Sequence, residues 1–216
     1  MMKLLLTGFE PFGGDTVNPS EQVVEALGNQ VVSGVQVRGE LLPVDTGRAP
    51  QVLRAALERH QPDAVVLTGL AAGRPQLTLE RVAVNVLDFR IPDNAGVQKH
   101  DERIEPAGPD AYLSSLPLGD ILRAWKAAGI PGYVSDTAGL YLCNQVMYVA
   151  RHALGAEVPC GFLHLPANPE VALGAPRELP YLPQQELNRG VQVVVETVAA
   201  RLRARTATET EGVTGL

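Results

Sequence analysis

Along almost its whole length the chain alternates short apolar, β-branched runs with stretches whose apolar residues recur at helical spacing, and no other feature constrains the fold as tightly. Lys3 to Phe9 (KLLLTGF) reads as a strand ending at a Gly-rich turn. Asn18-Pro19-Ser20 then supplies an N-cap with Pro at the first helical position, for a helix through about Leu27. Val35 to Val44 reads as a second strand. Thr46 is the predicted cap of a helix in which Val52, Leu53, Ala56 and Leu57 recur before His60. DAVVLTGLA reads as a third strand, buried on both faces. Thr78 to Phe89 is rich in β-branched residues and reads as another strand or an extended pair. The polar, turn-rich stretch from Pro92 to Pro109 is the longest candidate for a mobile loop, expected beside the active site. Helix-like LGDILRAWKAAG, strand-like GYVSD, a helix holding Cys143, strand-like VPCGFLHLP and an amphipathic helix from about Pro183 to Arg203 follow. A βαβα order of this kind predicts one α/β domain over residues 1–205 around a mostly parallel sheet. TATETEGVTGL, residues 206–216, lacks apolar periodicity and is predicted to be a disordered tail.

Composition narrows the class. No apolar run approaches the roughly 18 residues of a membrane span, and no basic-then-apolar leader follows Met1, so a cytoplasmic, soluble protein with no membrane partner is expected. The formal charge of −6 is spread along the chain, with no Lys/Arg cluster interleaved with aromatics, which argues against nucleic acid as a partner. Only Cys143 and Cys160 carry thiols, and a reducing cytosol would keep both free.

In a parallel sheet the carboxyl ends of the strands converge on one crevice. Cys143 follows a strand-like run and begins a helix, whose N-terminal dipole favours an anion there, and His164 ends another run. A thiol near pKa 8.5 needs a base or a positive potential to become a nucleophile, so the pair suggests a Cys–His hydrolase. Cys160, inside a strand, reads as core. His60 and His152 lie near helix ends and His100 in the long loop. An imidazole that accepts and returns a proton is best held by an acceptor on its second nitrogen. Glu80 and Asp88 lie on one face if the strand is continuous, so spacing cannot choose between them, and Asp136 is a third candidate. Glu80 or Asp88 could instead be a surface charge or pair with Arg81 or Arg90. Phe9 and Phe12 sit in the turn after the first strand, where two of only four Phe are spent. The glycines fit neither a dinucleotide fingerprint nor a P-loop, and no Cys/His set has zinc-site spacing, so no metal or cofactor is implied.

Several long strings, TGFEPFGG with NPS after it, GLAAGR, LERVAVNVLDFRIPDN, AYLSSLP, SDTAGLYLCNQVMY and GFLHLP, together resemble the pyroglutamyl peptidase type I (pyrrolidone-carboxylate peptidase) family from Lys3 to the final helix. The resemblance implies a three-layer α/β/α sandwich and a cysteine exopeptidase that removes an N-terminal pyroglutamyl residue through a thioester acyl-enzyme. It implies Cys143 as nucleophile, His164 as base and acid, and Glu80 rather than Asp88 as the orienting carboxylate. Phe9 and Phe12 match residues lining the pyroglutamyl pocket, with Asn18 supporting the turn, and Arg90 matches an arginine thought to assist the oxyanion site beside the Cys143 N–H. Some members carry Gln where this chain has Leu70, which leaves open a side-chain amide contact to the ring. Homotetramers are common in the family. The alternatives are a thiol hydrolase of another small amide or ester, and a binding protein that kept the pocket and lost turnover.

Overall fold

The computed structural model describes residues 1–213, with side chains through residue 206. The strands are β1 (Lys3–Phe9), β2 (Val31–Val32), β3 (Val35–Leu42), β4 (Ala64–Leu70), β5 (Leu77–Glu80), β6 (Val82–Val84), β7 (Ala111–Leu113), β8 (Gly132–Ser135) and β9 (Cys160–Leu165). The helices are α1 (Pro19–Leu27), α2 (Arg48–His60), α3 (Leu118–Ala127), α4 (Leu142–Ala153), α5 (Pro169–Gly174) and α6 (Gln184–Val213). Seven strands form one sheet in the order β2-β3-β1-β4-β9-β5-β8, and β6 and β7 form a small antiparallel pair beside it. Pairing is parallel from β3 through β1 and β4 to β9, and again between β5 and β8. It is antiparallel between β2 and β3 and between β5 and β9.

Alternation along each strand sorts its residues into two layers. Leu4 and Leu6 of β1, Leu77 and Leu79 of β5, and Leu163 and Leu165 of β9 pack with α1, α3 and α6. Leu5 of β1, Val65 and Leu67 of β4, and Cys160 and Phe162 of β9 pack with α2 and α4. Burial of both faces explains why these strands read as continuous apolar runs rather than alternating ones. The result is an α/β sandwich, with Cys160 a core residue of the α2/α4 layer.

Local chemistry agrees with most of the sequence reading. Asn18 caps α1, its Oδ1 accepting from the Ser20 N–H at 3.0 Å with Pro19 following. The Ser20 hydroxyl in turn accepts from the Phe9 N–H at 3.0 Å, which fastens the end of β1 to the start of α1. A Cβ on Gly8 would come within 2.3 Å of the Ser20 carbonyl, so only glycine allows this approach. Thr46, by contrast, caps nothing: α2 begins at Arg48, and Asp45 Oδ1 accepts from the Gly47 and Arg48 N–H groups, each at 2.9 Å. The stretch from Pro92 to Pro109 is tied down. Asp93 is buried and accepts from the N–H groups of Thr46, Ala95 and Val97. Asn85 binds the backbone of Ile104, Glu105, Gly108 and Pro109. Helix α6 runs past Arg203 to Val213, so residues 206–213 of the expected disordered tail are helical, and residues 214–216 lie outside the described residues. A helix already nucleated by packing of Leu187, Val191, Val194, Val198 and Leu202 extends at little further cost. No described helix is long and apolar enough to cross a membrane.

Candidate active site

Cys143 is the second residue of α4, whose start no side chain caps, so the first-turn N–H groups lack a side-chain acceptor. The helix is held in register by the two residues that follow. Asn144 is fully buried, accepts from the Val84 N–H at 2.8 Å and donates to the Val84 and Val86 carbonyls at 2.8 and 3.0 Å. Gln145 donates to the Thr46 carbonyl at 3.0 Å and accepts from the Thr46 hydroxyl at 3.2 Å. From below, β4 approaches the sulfur closely: a Cβ on Gly69 would stand 3.0 Å from Cys143 Sγ and 2.8 Å from Phe162 Cζ. Gly69 is the register partner of His164 on β9, so the thiol and the imidazole flank one glycine.

His164 faces the α4 layer with Phe162, whose ring centroid lies 4.8 Å from the imidazole. In the antiparallel β5–β9 pair Thr78 is opposite His164 and Glu80 is opposite Phe162, so Glu80 and His164 are diagonal neighbours on one face. His164 Nδ1 donates to Glu80 Oε1 at 2.7 Å, which leaves Nε2 as the acceptor. Glu80 is fully buried and also accepts from Arg74 Nη1, while Arg74 Nη2 donates to the Thr137 carbonyl at 3.2 Å. Burial pushes the Glu80 carboxyl up, but the hydrogen bond from His164 and the Arg74 guanidinium outweigh that and hold it below its ordinary value. The Ser135 hydroxyl itself donates to the Thr137 carbonyl and leaves Glu80 Oε2 without a hydrogen bond among the described residues. Burial lowers the His164 pKa, opposed by Glu80 and aided by Arg74. Burial, with the Glu80 charge behind it, pushes the Cys143 thiol up to about 12. The resting site is therefore a neutral thiol, a neutral imidazole and a carboxylate. The preformed anion suggested by the helix N-terminus is outweighed by desolvation and Glu80.

The other carboxylates lie elsewhere. The extended stretch from Thr78 to Phe89 breaks at Arg81 into β5 and β6 of different sheets, so the alternation that put Glu80 and Asp88 on one face does not continue across it. Asp88 is exposed, 3.4 Å from His100, and Asp136 pairs at the surface with Arg81 at 2.7 Å. Neither Arg81 nor Arg90 pairs with Glu80; the partner is Arg74, which sequence reasoning passed over. Only the turn between β4 and β5 brings it there, and periodicity carries no signal for that.

An apolar slot opens beside Cys143, lined by Phe9, Phe12, Asn18, Val44, Leu70, Tyr141 and Leu142. Phe9 is buried and Phe12 half-buried, and the Asn18 side chain is spent on the cap and on the Glu10 carbonyl, to which it donates at 3.1 Å. Tyr141, Leu142 and Val44 were not expected from sequence. Tyr141 stacks edge-on against Phe89 at 4.6 Å, lies 6.4 Å from the Phe12 ring and donates to the Pro92 carbonyl at 3.2 Å. Phe12, Leu70, Tyr141 and Cys143 also line a larger cavity of about 750 Å³, which continues past His164 to Arg74, Asp88, Arg90, Ile91 and Arg177. Among the described residues no cluster of three His, Cys, Asp or Glu could hold a metal ion.

Comparison with known proteins bears on this arrangement directly. Residues 2–201 match the sequence model of the family described as pyroglutamyl peptidase. The chain is 53% identical to a pyrrolidone-carboxylate peptidase of Deinococcus radiodurans, over 93% of this chain and 96% of that one. It is 46% identical to that of Pyrococcus furiosus, over 78% and 83% of the two chains. A solved structure of the Pyrococcus furiosus pyrrolidone carboxyl peptidase superposes with a TM-score of 0.90 at 41% identity, covering 93% of this chain and all of that one. The chain belongs to the pyroglutamyl peptidase family.

Proposed function

We infer that this chain is a cysteine exopeptidase that removes an N-terminal pyroglutamyl residue from peptides. The observation that carries the reading is the buried Glu80–His164 hydrogen bond, with His164 and Cys143 lining one cavity and Cys143 also lining the adjoining aromatic slot. Because the Cys143 thiol is neutral at rest, His164 Nε2 takes its proton as sulfur attacks the scissile carbonyl, and the thioester and imidazolium form together. Glu80 fixes the tautomer that leaves Nε2 basic and stabilises the imidazolium. The Cys143 N–H and Arg90 stabilise the oxyanion. His164 then protonates the leaving amine, and water, deprotonated by the same imidazole, releases pyroglutamate. No step calls for a cofactor.

Specificity follows from desolvation. The pyroglutamyl lactam is neutral, whereas the α-ammonium of an ordinary peptide would lose several kcal/mol of hydration in an apolar slot with no carboxylate to meet it. Phe9, Phe12 and Tyr141 supply ring faces, and the backbone supplies partners for the lactam N–H and C=O. Leu70 lines the slot at the position where some members of the family carry Gln, so recognition by this chain rests on shape and backbone. Both cysteines are free, which fits a reducing cytoplasm, and the family resemblance carries a homotetramer of single-domain subunits.

Alkylation tests the nucleophile. Iodoacetamide is expected to modify Cys143 more slowly than a free thiol at pH 7 and faster as pH rises, with turnover lost in step with labelling of that residue. Cys143→Ser should be inactive and Cys160→Ser active. Turnover that survives complete labelling of Cys143 would sink the assignment.

A further inference from the structure

The slot that Cys143 lines takes the ring that becomes the acyl group, so under that reading the departing peptide must occupy the larger cavity, which adjoins the slot at Phe12, Leu70, Tyr141 and Cys143. The charges facing that cavity are Arg74, Asp88, Arg90, His164 and Arg177. Arg74 is committed to Glu80, and Asp88 to the neighbourhood of His100. Arg90 and Arg177 are exposed, and among the described residues neither guanidinium makes a hydrogen bond or an ion pair. With Arg90 given to the oxyanion, Arg177 remains as an unpaired cation on the cavity lining of a chain whose net charge is −6. A guanidinium fork matches a carboxylate bidentately, and it needs no rearrangement to do so when no acid already holds it.

We propose that Arg177 forms a carboxylate subsite for the leaving portion of the peptide, so that the enzyme prefers substrates with a carboxylate on the residue that follows pyroglutamate. That carboxylate comes either from an acidic side chain or from the free terminus of a dipeptide. Asp88, the one acid facing the cavity, sets the limit of the effect by repelling the same group. The proposal rests on the pyroglutamyl peptidase reading and deepens it.

The test compares kcat/KM at low ionic strength for pyroglutamyl-glutamyl amide, pyroglutamyl-glutaminyl amide, and pyroglutamyl-alanine with a free or an amidated terminus. The wild type should favour each carboxylate over its neutral counterpart by roughly three- to tenfold, mostly through KM, and the ratio should shrink with added salt. The Glu/Gln pair reads the side-chain source and the free/amidated pair reads the terminus. Arg177→Gln should bring the ratios close to one, and Arg177→Glu should invert them, in proteins whose melting temperature is unchanged because the side chain is exposed. Equal kcat/KM within both pairs for the wild type, or ratios unmoved in Arg177→Glu, would overturn the subsite while leaving the activity standing. Failure to cleave even the neutral pyroglutamyl amides would remove the reading beneath it as well.

Discussion

Removing the Arg74 guanidinium takes a positive charge away from both Glu80 and His164. In the native site burial, Glu80 and Arg74 together set the His164 pKa below its ordinary 6.5, so the imidazole stays a base as pH falls through that value. Arg74→Gln should therefore raise it, and the acid limb of kcat/KM should move to higher pH, with turnover reduced less than in His164→Ala. A lower plateau with an unmoved limb would mean that Arg74 is only structural. At the triad, His164→Ala should cost about 10² to 10⁴ in kcat, Glu80→Gln less, and Asp88→Asn little, since Asp88 sits at the surface beside His100. If Asp88→Asn proved the more damaging of the two carboxylate changes at equal stability, Glu80 would lose its role. Cys143 and His164, which line one cavity, could be paired from sequence because His164 ends a strand-like run and Cys143 follows one at the start of a helix, although β8 before Cys143 runs antiparallel to β9. Glu80 could not be chosen over Asp88 by spacing, because the choice depends on a break at Arg81 that propensity does not mark.

At the scale of elements, the site depends on three backbones meeting within a side chain's reach. Gly69 of β4 is the tightest point, with Cys143 Sγ and Phe162 Cζ both inside the contact distance a Cβ would need. Gly69→Ala should shift the sulfur or tilt Phe162 against His164, costing on the order of 10- to 100-fold in kcat. A Gly69→Ala enzyme with wild-type kcat would show that the sulfur's position is looser than these distances imply. The parallel core β3-β1-β4-β9 follows from the βαβα rhythm, and the Asn18-Pro19 start of α1 was readable from residue types alone. The reversal of β5 and β8 was not. Their short segments carry no signal of direction, yet that reversal is what sets Glu80 diagonally across from His164. Asn144 and Gln145 were likewise silent in sequence, since polar residues on a helix look exposed until the Val84 and Thr46 backbones come to meet them.

For the molecule as a whole, the sandwich buries both faces of the sheet and leaves its chemistry at one end, where an apolar slot and a charged cavity meet on one sulfur. That division predicts an enzyme that reads the ring by exclusion and the rest of the peptide by charge. The most direct measurement is kcat/KM for pyroglutamyl, prolyl and glutaminyl anilides side by side, in the wild type and in Cys143→Ser. The wild type should cleave the pyroglutamyl anilide and reject the other two, whose charged amines cannot enter the slot, and Cys143→Ser should cleave none of them. Comparable values for the glutaminyl and pyroglutamyl anilides, or pyroglutamyl turnover that survives in Cys143→Ser, would contradict the account.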